Sequence, residues 1–138
     1  MKRGLMLIDR GSREREAEEE LEIICKKVKE KGNYDFTEFC FLEVVPPFIE
    51  DGMEKCLKKD VDEMTIVPYF LYPGKKVKIA VADAMKYQKD TKIKFLVSKP
   101  MTMHRTLVDL SETRRHMNLR LSFISIRWSI QVVSFGLF

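Results

Sequence analysis

Apolar positions along the chain switch repeatedly between two periods. Leu5, Met6, Leu7 and Ile8 form an unbroken apolar run, as a strand buried on both faces requires. Ala17, Leu21, Ile24 and Val28 then recur at steps of four, three and four, which predicts a helix over 13–31. Its first half is rich in Glu and its second in Lys, so the charges oppose the macrodipole and allow a Glu22–Lys26 pair, and Gly32 is a natural stop. A second buried strand is expected over 36–44. Pro46 and Pro47 break it, and Pro47 suits the first turn of a helix carrying Ile49, Met53, Cys56 and Leu57. A third strand is expected over 64–71, with Pro68 closing its regular part, then a Pro73-Gly74 loop and a helix with Val77, Val81, Ala84 and Met85. A fourth strand over 93–97 precedes a last helical pattern with Met103, Leu107 and Leu110. The order βαβαβαβα predicts an α/β fold, an open parallel four-stranded sheet with right-handed crossovers and helices on both faces.

The pattern changes after Leu110. The remaining residues contain no Lys, and Glu112 is their only acid. Ile124, Ile126, Trp128, Ile130 and Val132 alternate with mostly polar residues, a strand period. Residues 1–110 are therefore expected to form the domain. Residues 111–138 are an atypical extension: the end of the last helix, then an edge strand, an interface strand or a segment foreign to the fold.

Length and charge narrow the classes. The 138 residues suit one ordinary core, and a net charge of +4 from scattered lysines does not make nucleic acid a partner. Cys25, Cys40 and Cys56 form no CxxC pair and sit in apolar patterns, as reduced buried thiols do. The run before the first charged turn is too short for a signal peptide, and no apolar stretch is long enough to span a bilayer. The expected location is the cytoplasm, with no membrane partner.

In open α/β sheets ligands bind beyond the carboxyl ends of the strands. Those ends gather Asp9, Arg10, Gly11, Ser12, Glu43, Tyr72, Lys75, Lys76 and His104. A Gly-Ser turn entering a helix offers backbone N–H groups to an anion, and Arg10 adds a fixed positive charge. The plainer alternative is that Ser12 caps the helix and Asp9 ends the strand.

The same four segments resemble a known family. "LMLIDRGSRE" is similar to the "LLIGHGSR" opening of the small class II tetrapyrrole chelatases, the CbiX-like sirohydrochlorin chelatases. "FCFLEVVPPFIEDGMEKCL" resembles their "AFLELAEPSLEEAL", "TIVPYFLYPGKKVK" their "VVPLFLFAGGHVR", and "KPMTMHRTLVDL" their "PLGPHPLLAEL". The resemblance covers about 1–110. It implies a flavodoxin-like sheet, a homodimer facing a shared cleft, and insertion of a divalent metal (Co, Fe or Ni) as substrate into sirohydrochlorin, an anionic tetrapyrrole. It implies no organic cofactor, and a step towards cobalamin or sirohaem.

The positions where the resemblance sets two metal-binding histidines hold Arg10 and Lys76. Guanidinium has no lone pair for a metal or a proton. A lysine takes the role of base only when its pKa falls from about 10.4 to near 7, at roughly 4–5 kcal/mol. Arg10 and Lys76 thus suit substrate carboxylates better than a cation. The resemblance carries Glu43 over as the main functional residue, with Arg10 and Lys76 beside it in the catalytic set. Arg10, Gly11, Ser12, Tyr72, Lys75 and Lys76 are expected to bind substrate, and Glu43, His104 and Asp9 are the candidate metal donors. Glu43 as a plain strand-end carboxylate, and His104 as a structural residue, remain alternatives. Tyr69, Phe70 and Tyr72 either line the macrocycle or pack. Three functions are then open: a chelatase with altered ligands, a non-catalytic tetrapyrrole- or anion-binding protein on the same fold, and an unrelated flavodoxin-type anion-binding domain.

Overall fold

The computed structural model describes residues 1–101 and 104–121, with side chains as far as 114. It falls into two compact units, Met1–Thr102 and Met103–Phe138, each described by itself. The first contains β1 (Arg3–Asp9), α1 (Arg15–Gly32), β2 (Phe36–Phe41), α2 (Ile49–Leu57), β3 (Glu63–Pro68), α3 (Lys75–Met85), a short 3-10 turn (Lys86–Asp90) and β4 (Lys94–Val97). The second contains α4 (Arg105–Leu121), which runs across position 110. The strand period expected around Trp128 lies outside the described residues.

The four strands pair in parallel in the order β2-β1-β3-β4. Central β1 is buried from Gly4 to Ile8, which is why its sequence does not alternate. Met6, Ile8, Cys40, Met64, Ile66 and Phe95 point to one face, where α2 brings Ile49, Met53 and Cys56 and α3 brings Ala80 and Ala84. Gly52 lets α2 close on the sheet, since a Cβ there would lie 2.9 Å from Cys40 Cβ and 3.1 Å from Met6 Cε. Leu5, Leu7 and Phe41 point to the other face, against Leu21 and Cys25 of α1. All three cysteines are buried as expected. Burial pushes Cys25 and Cys56 up to about 12, and Cys40 upward too, so they are thiols that pack and not ligands or nucleophiles.

Element ends differ from the sequence reading where tertiary bonds decide them. Strand β2 stops at Phe41 and not at position 44, and α2 starts at Ile49 with Phe48 donating its N–H to Asp51 at 2.7 Å, so Pro47 lies outside the helix. Strand β3 stops at Pro68, where its regular part is expected to close, and Phe70 N–H turns back to the Pro68 carbonyl. Helix α1 starts at Arg15, two residues later than expected, because Ser12 Oγ accepts from Glu14 N–H at 3.1 Å and holds a turn ahead of it. Its left-handed stop is Asn33 (φ 52°) and not Gly32, whose missing Cβ leaves room for the Tyr34 ring. The Glu22–Lys26 pair forms at 3.0 Å.

Candidate functional site

Strand order reverses between β1 and β3, the switch point at which such sheets hold ligands. The loops leaving β1 and β2 are stitched together there. Leu42 N–H donates to the Asp9 carbonyl at 2.8 Å and Glu43 N–H to the Arg10 carbonyl at 3.0 Å. Gly11 sits at φ +104°, and a Cβ on it would overlap the carbonyl oxygen of Glu43. Its role is thus to let one backbone approach another. Next to it Val44 is held at φ 79°, a conformation a β-branched residue adopts only when its surroundings impose it.

This stitching fixes Glu43 between two cations. Glu43 Oε1 accepts from Arg10 Nε at 3.1 Å and from Lys76 Nζ at 3.0 Å, and Oε2 accepts from Lys76 Nζ at 2.8 Å. Lys76 first and Arg10 second hold the Glu43 carboxyl below its usual range. One carboxylate against two cations leaves the cluster with a net positive charge. Lys75 neighbours Lys76 in the first turn of α3, which holds no acidic residue.

The fold therefore brings together the three residues expected to be catalytic, with Gly11 beneath them. Ser12 serves the turn before α1. Tyr72 and Leu71 stand 78 % and 55 % exposed on the loop after β3, while Phe70 packs against the core beneath. Asp9 alternates onto the α1 face with Leu5 and Leu7, where its charge, after burial, raises the Tyr69 phenol. His104 lies in the second unit, where its Nδ1 accepts from Thr106 N–H at 3.2 Å at the start of α4. Among the described residues no group of three His, Cys, Asp or Glu side chains converges on a cation-sized point. The sequence reading missed Val44 and Phe48, both exposed beyond the end of β2. The signal was an apolar run that continues past the strand into a proline segment. A cavity of about 400 Å³ opens elsewhere, on the β2 edge against α1, where Glu22 and Glu38 are already paired with Lys26 and Lys55.

A protein-family model described as CbiX matches residues 4–116. The chain belongs to the CbiX family. It is 31 % identical over 115 residues to the chloroplastic sirohydrochlorin ferrochelatase of Arabidopsis thaliana, covering 80 % of this chain and 50 % of that one. Two solved structures share the fold. The sirohydrochlorin chelatase SirB of Bacillus subtilis subspecies spizizenii, in complex with cobalt, superposes with a TM-score of 0.72 at 24 % identity, over 84 % of this chain and 50 % of that one. A CbiX protein of Marinobacter aquaeolei VT8 gives a TM-score of 0.65 at 16 % identity, over 86 % of this chain and 98 % of that one. The chain thus spans about half the length of the curated relative it matches and nearly all of the shorter CbiX structure. No helix among the described residues is long and apolar enough to cross a membrane.

Proposed function

We propose that this CbiX chain acts on sirohydrochlorin or a closely similar polycarboxylate tetrapyrrole, as a chelatase for which a divalent metal is the second substrate. The observation that carries the reading is the Arg10–Glu43–Lys76 cluster at the switch point of a CbiX fold. A polycarboxylate macrocycle is flat and apolar in the middle and anionic at its rim. The cleft offers cations at Arg10, Lys75 and Lys76, and exposed apolar side chains at Val44, Leu71 and Tyr72. Metal insertion forms four metal–nitrogen bonds and releases two pyrrole protons. Glu43 is the cluster's one carboxylate and its one group able to accept such a proton or touch the metal. Arg10 and Lys76 position the rim carboxylates, and Gly11 and Ser12 hold the turn that presents them. Asp9 and His104 are weaker candidates as metal donors, since neither joins the cluster.

Cobalt and iron are the favoured metals, by the names of the relatives, and nickel is the third. The reading includes no organic cofactor and a cytoplasmic location. It also includes a homodimer, a reading supported by this chain spanning only half the length of two of its relatives. Residues 1–110 are the chelatase domain in this reading, and 111–138 an extension. One observation favours a second reading, in which the protein binds the macrocycle without metallating it. Both Glu43 oxygens already face cations, an arrangement that repels a divalent metal.

Anaerobic incubation of the protein with sirohydrochlorin, with and without Co²⁺, separates the two. Cobalt-dependent conversion to the metallated spectrum, lost in Glu43→Ala, is expected of the chelatase. A bound spectrum that stays metal-free supports the binding reading. No spectral change in either arm sinks both.

A further inference from the structure

Resting on the reading of this cleft as a site for a carboxylated macrocycle, we infer that Glu43 is an internal competitor for Arg10 and Lys76, and that this competition sets a threshold of affinity which a ligand carrying many carboxylates passes and a ligand with few does not. Glu43 occupies the two cations as a bound carboxylate would. It takes Lys76 Nζ on both oxygens, at 3.0 and 2.8 Å, and Arg10 Nε on one, at 3.1 Å. Its backbone is fixed by the bond from Glu43 N–H to Arg10 O and by the close approach over Gly11, so the side chain needs little ordering to reach them. A tethered group acts at an effective concentration on the order of millimolar or above.

A ligand with one or two carboxylates offers the same donors the same oxygens and also loses translational freedom, so it displaces Glu43 only at high concentration. A ligand with many carboxylates around a rigid ring gains more. It can give separate carboxylates to Arg10 and to Lys76, whose exposed heads keep further N–H donors, and another to the neighbouring Lys75. Glu43 then comes free with its charge exposed. The shared carboxylate also explains why the two cations stand close together. Removing the carboxylate leaves both charges without their shared partner and ready for any anion.

The test uses the full chain and two porphyrins of the same ring, one octacarboxylate and one dicarboxylate, with binding followed by porphyrin absorption and fluorescence. The wild type is expected to prefer the octacarboxylate. Glu43→Gln should bind both more tightly, by about tenfold or more and by a similar factor, because either ligand must displace Glu43 to take these cations, so that the dicarboxylate then binds at concentrations where the wild type does not. Arg10→Ala with Lys76→Ala should lose binding of both. A second measurement needs no variant: the NMR shift of the Glu43 carboxyl carbon should move on adding the octacarboxylate porphyrin and stay put with acetate at equal carboxylate concentration. Wild-type binding that Glu43→Gln leaves equal or weaker, or a carboxyl shift indifferent to the porphyrin, overturns the competition while leaving the cleft reading intact. No porphyrin binding by either the wild type or Glu43→Gln overturns the cleft reading and the competition with it.

Discussion

The two loop regions that meet at the Arg10–Glu43–Lys76 cluster form its two walls, and they are built in opposite ways. The wall made by the ends of β1 and β2 is held by backbone: Leu42 and Glu43 donate to Asp9 and Arg10, Gly11 is pressed against the Glu43 carbonyl, and Val44 is forced to a positive φ. The wall made by the loop from β3 to α3 is tied at its base, where Tyr69 N–H donates to Ile8 O at 2.8 Å and Phe70 O accepts from Met101 N–H at 2.9 Å. From Leu71 to Lys76 every residue is exposed, and a Cβ on Gly74 would meet nothing within 4 Å. The walls meet through one pair of side chains, Lys76 and Glu43. One wall thus fixes where the carboxylate stands, and the other brings a cation that can swing to a ligand. A site that must hold a reacting group in place and still admit a large planar substrate needs both.

The largest effect that breaks this comparison comes from Gly11→Ala. The added Cβ meets the Glu43 carbonyl in a backbone conformation that L side chains rarely adopt. A loss of at least about 1–3 kcal/mol in urea unfolding is expected, from the strained φ alone. Because the clash falls on Glu43, porphyrin binding should change along with stability. A variant as stable as wild type would mean that the stitched wall is not rigid.

Much of this arrangement was legible in the sequence, and the limits have physical causes. Unbroken apolar runs and helical stripes gave the element order, the parallel sheet and the ends where Arg10, Glu43 and Lys76 had to lie. Arg10 to Glu43 and Glu43 to Lys76 are each 33 residues apart, one βα unit, so no local pattern reports that they close on one another. Gly11 looked like a phosphate-type turn, but its freedom serves a contact with a second loop. Ser12 and Pro47 looked like helix starts, yet bonds made by Glu14 and Phe48 set the starts further on. Asn33 took the left-handed position for which Gly32 was the better residue, because Tyr34 claims the space beside Gly32. Asp9 looked like part of the site, but strand alternation turns it to the α1 face.

An intermediate effect sharpens how the walls are joined. The Glu43 carboxyl lies below its usual range because Lys76, and to a lesser degree Arg10, bonds its charged form. A depressed folded value means that the contribution of this cluster is present above the usual carboxylate range and is lost as pH falls through the lowered value. An NMR titration of the Glu43 carboxyl carbon should give a low midpoint. Lys76→Ala should return it towards the usual range by more than Arg10→Ala does. If Lys76→Ala leaves the midpoint where it was, the mobile wall does not hold the carboxylate.

The smallest effect is expected at Gly74, the counterpart of Gly11 on the open wall. It precedes α3 with φ −171°, extended backbone that any residue adopts, and it has open space where a side chain would go. Gly74→Ala removes some freedom from the unfolded chain, which stabilises by about 0.4–1 kcal/mol. It also replaces a residue tolerated before a helix with one that is poor there, which costs about 0.5 kcal/mol or somewhat more. The two nearly cancel, so the free energy of unfolding in urea should shift by less than about 0.5 kcal/mol in either direction. The contrast with Gly11→Ala is what carries the argument, because both changes add the same methyl group to a glycine in a cleft loop. A loss at Gly74 as large as the loss at Gly11 would mean that the β3–α3 wall is as constrained as its neighbour. Lys76 could not then leave Glu43 without disturbing the fold, and the competition for the cations would have no means to operate.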